Sequence, residues 1–113
     1  MYAGYDHVRG FQLYCSDPSG NFGAWKAHST GRNSVNAIST LKTDYNEECT
    51  LREALILAAK VLSKAMDTAT PNPDKFEIGI ITKDKNGAIV QRRVEGDELK
   101  KILDEAKVFE DSK

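Results

Sequence analysis

Between Gly10 and His28 apolar and polar positions trade places at nearly every step, and this period of two predicts a β-hairpin. Phe11, Leu13 and Cys15 alternate with Gln12, Tyr14 and Ser16 along the first strand. Phe22, Ala24 and Lys26 alternate with Gly23, Trp25 and Ala27 along the second. Between them, Asp17-Pro18-Ser19-Gly20 has turn chemistry, because proline presets the required φ and glycine accepts a positive one. The period then becomes helical. Val35, Ile38, Leu41 and Tyr45 predict a helix from Ser34 to Tyr45. Thr50-Leu51-Arg52-Glu53 predicts a capped start for a second helix, since hydroxyl and carboxylate can satisfy amides left unpaired in the first turn. That helix runs to about Met66. Two prolines between Thr68 and Asp74 forbid helix and mark a loop. Phe76 to Thr82 reads as a strand, Lys85-Asn86-Gly87 as a turn and Ala88 to Val94 as the returning strand. Leu99, Ile102, Leu103, Ala106 and Phe109 fall on one face of a last helix. The order is strand, strand, helix, helix, strand, strand, helix, which predicts one α+β domain over residues 1–113 with helices packed on antiparallel sheet.

On a helical wheel of the second helix, Leu51, Ala54, Leu55, Ala58, Val61, Leu62, Ala65 and Met66 fill one broad arc. Arg52, Glu53, Lys60, Ser63 and Lys64 form a narrower polar strip. Ile56 sits inside that strip and Leu57 lies at its edge. A helix this apolar is expected to pack on its sheet and to touch something else, which makes Ile56 and Leu57 candidate interface residues. The plainer reading is that Ile56 is an ordinary exposed hydrophobe, of which folded proteins have many.

Composition narrows the class. The chain has 113 residues, 29% of them charged, with a net charge of −1. Near balance argues against a nucleic-acid or anionic-membrane binder, because both need a basic excess. No apolar run approaches the ~20 residues of a membrane span, and the first residues lack the basic flank and apolar stretch of a signal peptide. Cys15 and Cys49 are too few and too far apart for a disulfide framework or zinc knuckle. Two reduced thiols in a cytoplasmic or nuclear protein is the expectation.

A reactive constellation is hard to assemble. His7 and His28 have no Cys or carboxylate at metal-ligand spacing, and His28 at a strand end is expected to be solvated or hydrogen-bonded. Gly79 and Gly87 are isolated, and neither opens a helix after a strand as a phosphate loop does. Ser19 and Ser29 lack a histidine at nucleophile-elbow spacing. Asp104, Glu105, Glu110 and Asp111 interleave with Lys100, Lys101 and Lys107, the pattern of a solvated face. No catalytic residue, cofactor or metal is predicted. The residues by themselves lead to a cytosolic α+β domain that is not an enzyme on its own.

The hairpin and first helix carry a resemblance. Gly10-Phe11-Gln12-Leu13-Tyr14, Ser16-Asp17-Pro18-Ser19-Gly20-Asn21, Trp25-Lys26-Ala27 and Gly31 before Asn33-Ser34 are similar to the Leu-Tyr-x-x-Asp-Pro-Ser-Gly hairpin and the glycine-to-helix junction of 20S proteasome alpha subunits. Leu41-Lys42-x-Asp44-Tyr45-x-Glu47 and Lys60-Val61-Leu62-x-Lys64-x-Met66-Asp67 extend the likeness to both helices. The resemblance implies the second half of an Ntn-hydrolase-type αββα sandwich. Family members are about twice this length, so the chain is expected to correspond to their C-terminal half, starting inside a strand at Tyr2 to Asp6. Half of a sandwich exposes sheet edges and apolar faces, which favour self-association.

What the resemblance implies for function is a non-catalytic, structural subunit of a seven-membered alpha ring. Its partners would be neighbouring alpha subunits and the beta ring, with a regulatory particle engaged through the intact ring. Nucleic acid and membrane are not expected among its partners. Asp17, Pro18, Ser19, Gly20, Trp25, Ile56 and Leu57 are the candidate subunit contacts. The alternative for the turn and Trp25 is that they only stabilise the fold. Two other functions stay open at this point. One is a stand-alone interaction module that uses an exposed sheet. The other is a threonine-protease beta-type subunit, whose hydroxyl nucleophile needs an N-terminal threonine with its own amine as base. Ser29-Thr30-Gly31 and Asp67 fall where beta subunits keep supporting groups, and read here as a backbone turn and a helix-end polar residue.

Overall fold

The computed structural model describes residues 1–66 and 73–111, with side chains described at 1–66 and 74–106. Residues 68–72 of the loop expected from Thr68 to Asp74, the helix-end Asp67, and the side chains of Lys107, Phe109, Glu110 and Asp111 lie outside the described residues.

Three strands come from the N-terminal part: β1 (Tyr2–Asp6), β2 (Gly10–Ser16) and β3 (Phe22–Trp25). They form an antiparallel sheet in that order, with Tyr5 opposite Phe11 and Leu13 opposite both Ala3 and Trp25. The element order read from residue pattern alone omits β1, because Tyr-Ala-Gly-Tyr-Asp carries no clear alternation. The family resemblance does place a strand there. Asp6 sets up the reversal into β2: its carboxylate accepts the backbone N–H of Arg9 at 2.6 Å and of Val8 at 2.9 Å, and the Gln12 amide at 2.6 Å. The return strand β3 is shorter than the pattern suggests, ending at Trp25 rather than Ala27.

Helix α1 covers Ser34–Asp44 and α2 covers Leu51–Ala65. Thr50 caps α2 as the capping box predicts, its hydroxyl accepting the Glu53 N–H at 3.2 Å. Helix α1 starts differently. Asn33 takes a left-handed conformation at φ 60° and donates its side-chain amide to the Ala65 carbonyl at 2.7 Å. An asparagine tolerates that region better than most residues, and here it also satisfies a carbonyl that the end of α2 leaves unpaired.

A hairpin of β4 (Ile78–Lys83) and β5 (Ile89–Val94) follows a 3-10 turn at Pro73–Lys75. Its loop is closed by Asp84, whose carboxylate accepts the Asn86 and Ala88 amides at 2.8 and 2.9 Å. Gly87 stands at φ +85°, a conformation glycine adopts without penalty. Helix α3 (Gly96–Asp111) closes the described chain. Arg92 of β5 holds its start through a two-point contact with Glu98, both bonds at 2.9 Å.

The core lies between α2, α3 and the β4–β5 hairpin. Ala59, Phe76, Ile78, Ile80, Val94, Leu99, Ile102, Leu103 and Ala106 are all buried there. On α3 the buried residues recur at three- and four-residue intervals, the stripe predicted from sequence. On β4 they recur at every second residue, Ile78 and Ile80, with Val94 directly across from Ile78. None of this core, among the described residues, comes from β1–β3. That sheet touches the β4–β5 hairpin where Lys83 meets Tyr5, Nζ donating to the phenol oxygen at 3.3 Å.

The result is an open arrangement. The radius of gyration is 14.8 Å, against about 13 Å for a closed domain of this length. The exposed surface is 8384 Å², against about 6,200 Å² from the surface–mass relation of folded monomers. Phe11 and Phe22 on the first sheet and Leu51 and Leu62 on α2 stay exposed. No helix among the described residues is long and apolar enough to cross a membrane.

The Asp6 junction has a pH signature. The Arg9 amide first, then the Gln12 amide, hold the Asp6 carboxyl below its ordinary value of 3.8. A depressed carboxylate contributes stability that is present above the unfolded-state value and is lost as pH falls through the folded-state value. Acid titration followed by β-sheet circular dichroism is expected to show stability falling below that ordinary value, with a shallower fall in Asp6→Asn. Equal slopes in the two proteins would remove Asp6 from the account.

Candidate interaction surface

The Asp17–Gly20 turn folds onto its own carboxylate. Asp17 Oδ1 accepts the backbone amides of Ser19 at 3.0 Å and Asn21 at 3.1 Å, together with the Ser19 hydroxyl. The main chain closes the same loop, Asp17 N–H to Asn21 at 2.9 Å and Gly20 N–H to Asp17 at 3.0 Å. Pro18 needs no amide partner, and Gly20 takes φ +90°. The Ser19 hydroxyl, ahead of the backbone amides, keeps the Asp17 carboxyl below its ordinary range. The turn is therefore an exposed tip ordered by its own hydrogen bonds, most of them to Asp17. Such a tip loses little conformational entropy on contact with another surface.

Trp25, 47% exposed, ends β3. Its indole stacks on the His28 imidazole at 4.4 Å and 21°. The pair borders a hollow of about 380 Å³ against Ile38, Leu41 and Tyr45 of the α1 side. His28 differs from its expectation: Nδ1 is buried without a hydrogen-bond partner, and the ring stacks on the indole.

Ile56 and Leu57 lie elsewhere, in a hollow of about 400 Å³ with Asp44, Cys49, Glu53 and Lys60. Here the wheel reading needs correction. Ile56 does not stand exposed in a polar strip; it is partly buried and packs against the core beside Leu55. Lys60 and Ser63, assigned to the polar side, are buried. Lys60 reaches Asp44 at 3.1 Å, and the Ser63 hydroxyl donates to the Ala59 carbonyl at 2.8 Å. Burial of a polar side chain is tolerable when it gains such partners. The centre of the apolar arc has the opposite fate, with Leu51, Ala58 and Leu62 exposed.

The reason is that α2 is gripped on two flanks. One flank gives Leu55 and Ala59 to the core, and Arg52 reaches across to Glu105 of α3. On the other, Val61 lies beside Ala37 of α1, and Lys60 pairs with Asp44. The strip between the flanks stays open.

The seven candidates thus fall in three separate places: an exposed turn, an exposed indole beside α1, and a hollow over α2. The strip Leu51–Ala58–Leu62 was not among them, although the apolar arc of the wheel was its signal. Among the described residues no three His, Cys, Asp or Glu side chains stand close enough to hold a metal ion.

These surfaces lie on two antiparallel sheets with helices, and comparison with known sequences identifies the family. A family model described as proteasome subunit matches residues 1–81. The chain belongs to that family. Its relatives include alpha-type subunits from fungus, plant and slime mould. The probable proteasome subunit alpha type-3 of Schizosaccharomyces pombe is 40% identical over 104 residues, 91% of this chain and 42% of the relative. Proteasome subunit alpha type-4-A of Arabidopsis thaliana is 50% identical over 78 residues, 69% of this chain and 31% of the relative. Proteasome subunit alpha type-4 of Dictyostelium discoideum is 49% identical over 90 residues, 79% of this chain and 36% of the relative. The chain spans between about a third and two fifths of these relatives. The resemblance seen in the hairpin and helices is thereby shown, and it favours the alpha type over the beta type.

The position of Ile56 has a direct consequence. Ile56→Asp buries a carboxylate against the α2–α3 core and is expected to cost about 3 kcal/mol of stability. Val35→Asp, at a residue 77% exposed, is expected to change stability by less than about 0.5 kcal/mol. Urea unfolding of both checks the contrast, and similar midpoints would contradict the packing of Ile56.

Proposed function

We propose that the chain acts as part of a non-catalytic structural subunit of the 20S proteasome alpha ring. In that role it packs on neighbouring alpha subunits and on the beta ring of a threonine-protease complex, and contributes to assembly of the core particle and so to ubiquitin-dependent protein degradation. A regulatory particle is engaged by the intact ring, in the cytoplasm and nucleus. The observation that carries this reading is the family match over residues 1–81 together with alpha-type relatives that align with up to 91% of the chain.

Two features of the surface support a role in assembly. The Asp17–Gly20 tip has its geometry set before any contact forms, so its exposed rim is ready for a neighbouring subunit. Trp25 offers a large, half-exposed ring whose tilt is held by His28. Half-exposed tryptophans dominate binding energy where a partner completes their burial. Leu57 and Ile56 line the third surface, where Ile56 supports its floor from the core side.

Immunoprecipitation of the endogenous protein from a native lysate, followed by mass spectrometry, tests the reading. Other alpha and beta subunits are expected to co-purify; bait without any of them would refute it. In the same experiment Trp25→Ala is expected to lower recovery of those subunits several-fold while the melting temperature changes little. Unchanged recovery would return Trp25 to a purely structural role.

A further inference from the structure

The tip of the β4–β5 hairpin joins a reactive pair of residues to an open stretch of backbone. Asn86 is the one asparagine of the chain that a glycine follows. An asparagine side chain carries an amide carbon that the next residue's backbone nitrogen can attack, closing a succinimide ring. A side chain on that next residue obstructs the approach, and glycine has none. The space here is open as well. A methyl group placed on Gly87 would meet only the flexible end of the Lys83 side chain, at 3.7 Å, and residues 83–90 are all exposed.

The turn's hydrogen bonds hold the main chain but not the group that reacts. Asp84 accepts the Asn86 and Ala88 amides, and the Gly87 N–H donates to the Asp84 carbonyl at 3.1 Å. Among the described residues the Asn86 side chain makes no hydrogen bond of its own. Freeing the Gly87 nitrogen therefore breaks one bond, at an exposed hairpin end where local opening costs little. Asn33 is the contrast. It also precedes a small residue, Ser34, yet its side-chain amide is held by the Ala65 carbonyl at 2.7 Å, and the Ser34 N–H donates to the Gly31 carbonyl at 3.2 Å. Attack there requires the start of α1 to part from the end of α2.

We propose that Asn86 is a site of spontaneous deamidation, at which the β4–β5 tip acquires a new carboxylate. The Gly87 nitrogen bonds to Cγ of Asn86 and the bond from Cγ to the side-chain nitrogen breaks. That nitrogen leaves as ammonia, carrying off the proton that Gly87 gives up. Water then opens the ring at one carbonyl or the other, leaving aspartate or isoaspartate at position 86. Ring closure removes the Gly87 N–H and with it the bond to the Asp84 carbonyl. Isoaspartate also lengthens the main chain by one carbon, right beside the Lys83–Ile89 pair that ends the ladder. Either product gives the chain one more negative charge than its formal −1. The site is made by the turn itself and does not rest on the ring reading, so either can fail alone.

The test is to age the chain at mildly alkaline pH, with its fold followed by circular dichroism, and to weigh its tryptic peptides over time. The peptide that begins at Asn86 is expected to gain about 1 Da, as an amide becomes an acid, and to split into two isomers. An isoaspartate-specific methyltransferase is expected to label one of them. The Asn33 peptide is expected to stay unchanged in the folded chain and to convert several-fold faster in urea. Asp84→Ala, which takes two bonds from the turn, is expected to speed conversion at position 86 several-fold, and Asn86→Gln to abolish the labelled product. An Asn86 peptide that keeps its mass overturns the proposal. So does conversion of Asn33 as fast as that of Asn86 in the folded chain, or an Asp84→Ala rate equal to that of the unaltered chain.

Discussion

Everything in this fold hangs on how closely α2 approaches α3 and the β4–β5 hairpin, and Ala59 sets that distance. It is completely buried in the core cluster that α2, α3 and the hairpin share, and in an interior packed to native density a larger side chain there would force these elements apart. Around it, the α3 stripe and the Ile78–Ile80–Val94 face close a small but continuous apolar volume. Helix α1 joins this centre by way of α2, through the Lys60–Asp44 ion pair and the Asn33 amide on the Ala65 carbonyl. The first sheet stands further out, meeting the hairpin at Lys83 and Tyr5.

An architecture with one tight centre and loosely joined outer parts explains the excess surface. The first sheet carries its own aromatic contact, Tyr5 against Phe11 at 5.0 Å edge to face, yet much of its apolar area is left to solvent. Sheet edges at β1 and β3 bring unpaired backbone groups with them. The chain spans about a third to two fifths of the relatives it matches, and these surfaces are the ones its own described residues leave uncovered. The candidate residues differ in what they offer there. The Asp17–Gly20 tip is ordered and polar, Trp25 is large and half-covered, and Ile56 belongs mainly to the interior.

Much of this was legible in local pattern. The hairpin turn at Asp17–Gly20, the capped start of α2 at Thr50, the β4–β5 hairpin and the face of α3 all follow from chemistry within a few residues. So does the family, because the hairpin motif and the glycine-to-helix junction are local strings. The misreadings were non-local. The β1 strand has no strong alternation of its own and is held by its pairing with β2. β3 ends at Trp25, whose indole stacks on His28, a contact the alternation of residues does not announce.

Helix α2 draws the line most clearly. Its sequence determined that it would be a helix, where it would begin, and that one side would be apolar, because caps and periodicity act within one or two turns. Which side became interior was decided only by tertiary structure. Lys60 went inside where Asp44 of α1 receives its ammonium, and Ser63 could be buried because its hydroxyl bonds back to the Ala59 carbonyl of its own helix, while Leu51 and Leu62 stayed outside because neighbours approached from the flanks. Hydrophobicity ranks the faces of a helix, but partners at long sequence separation choose among them.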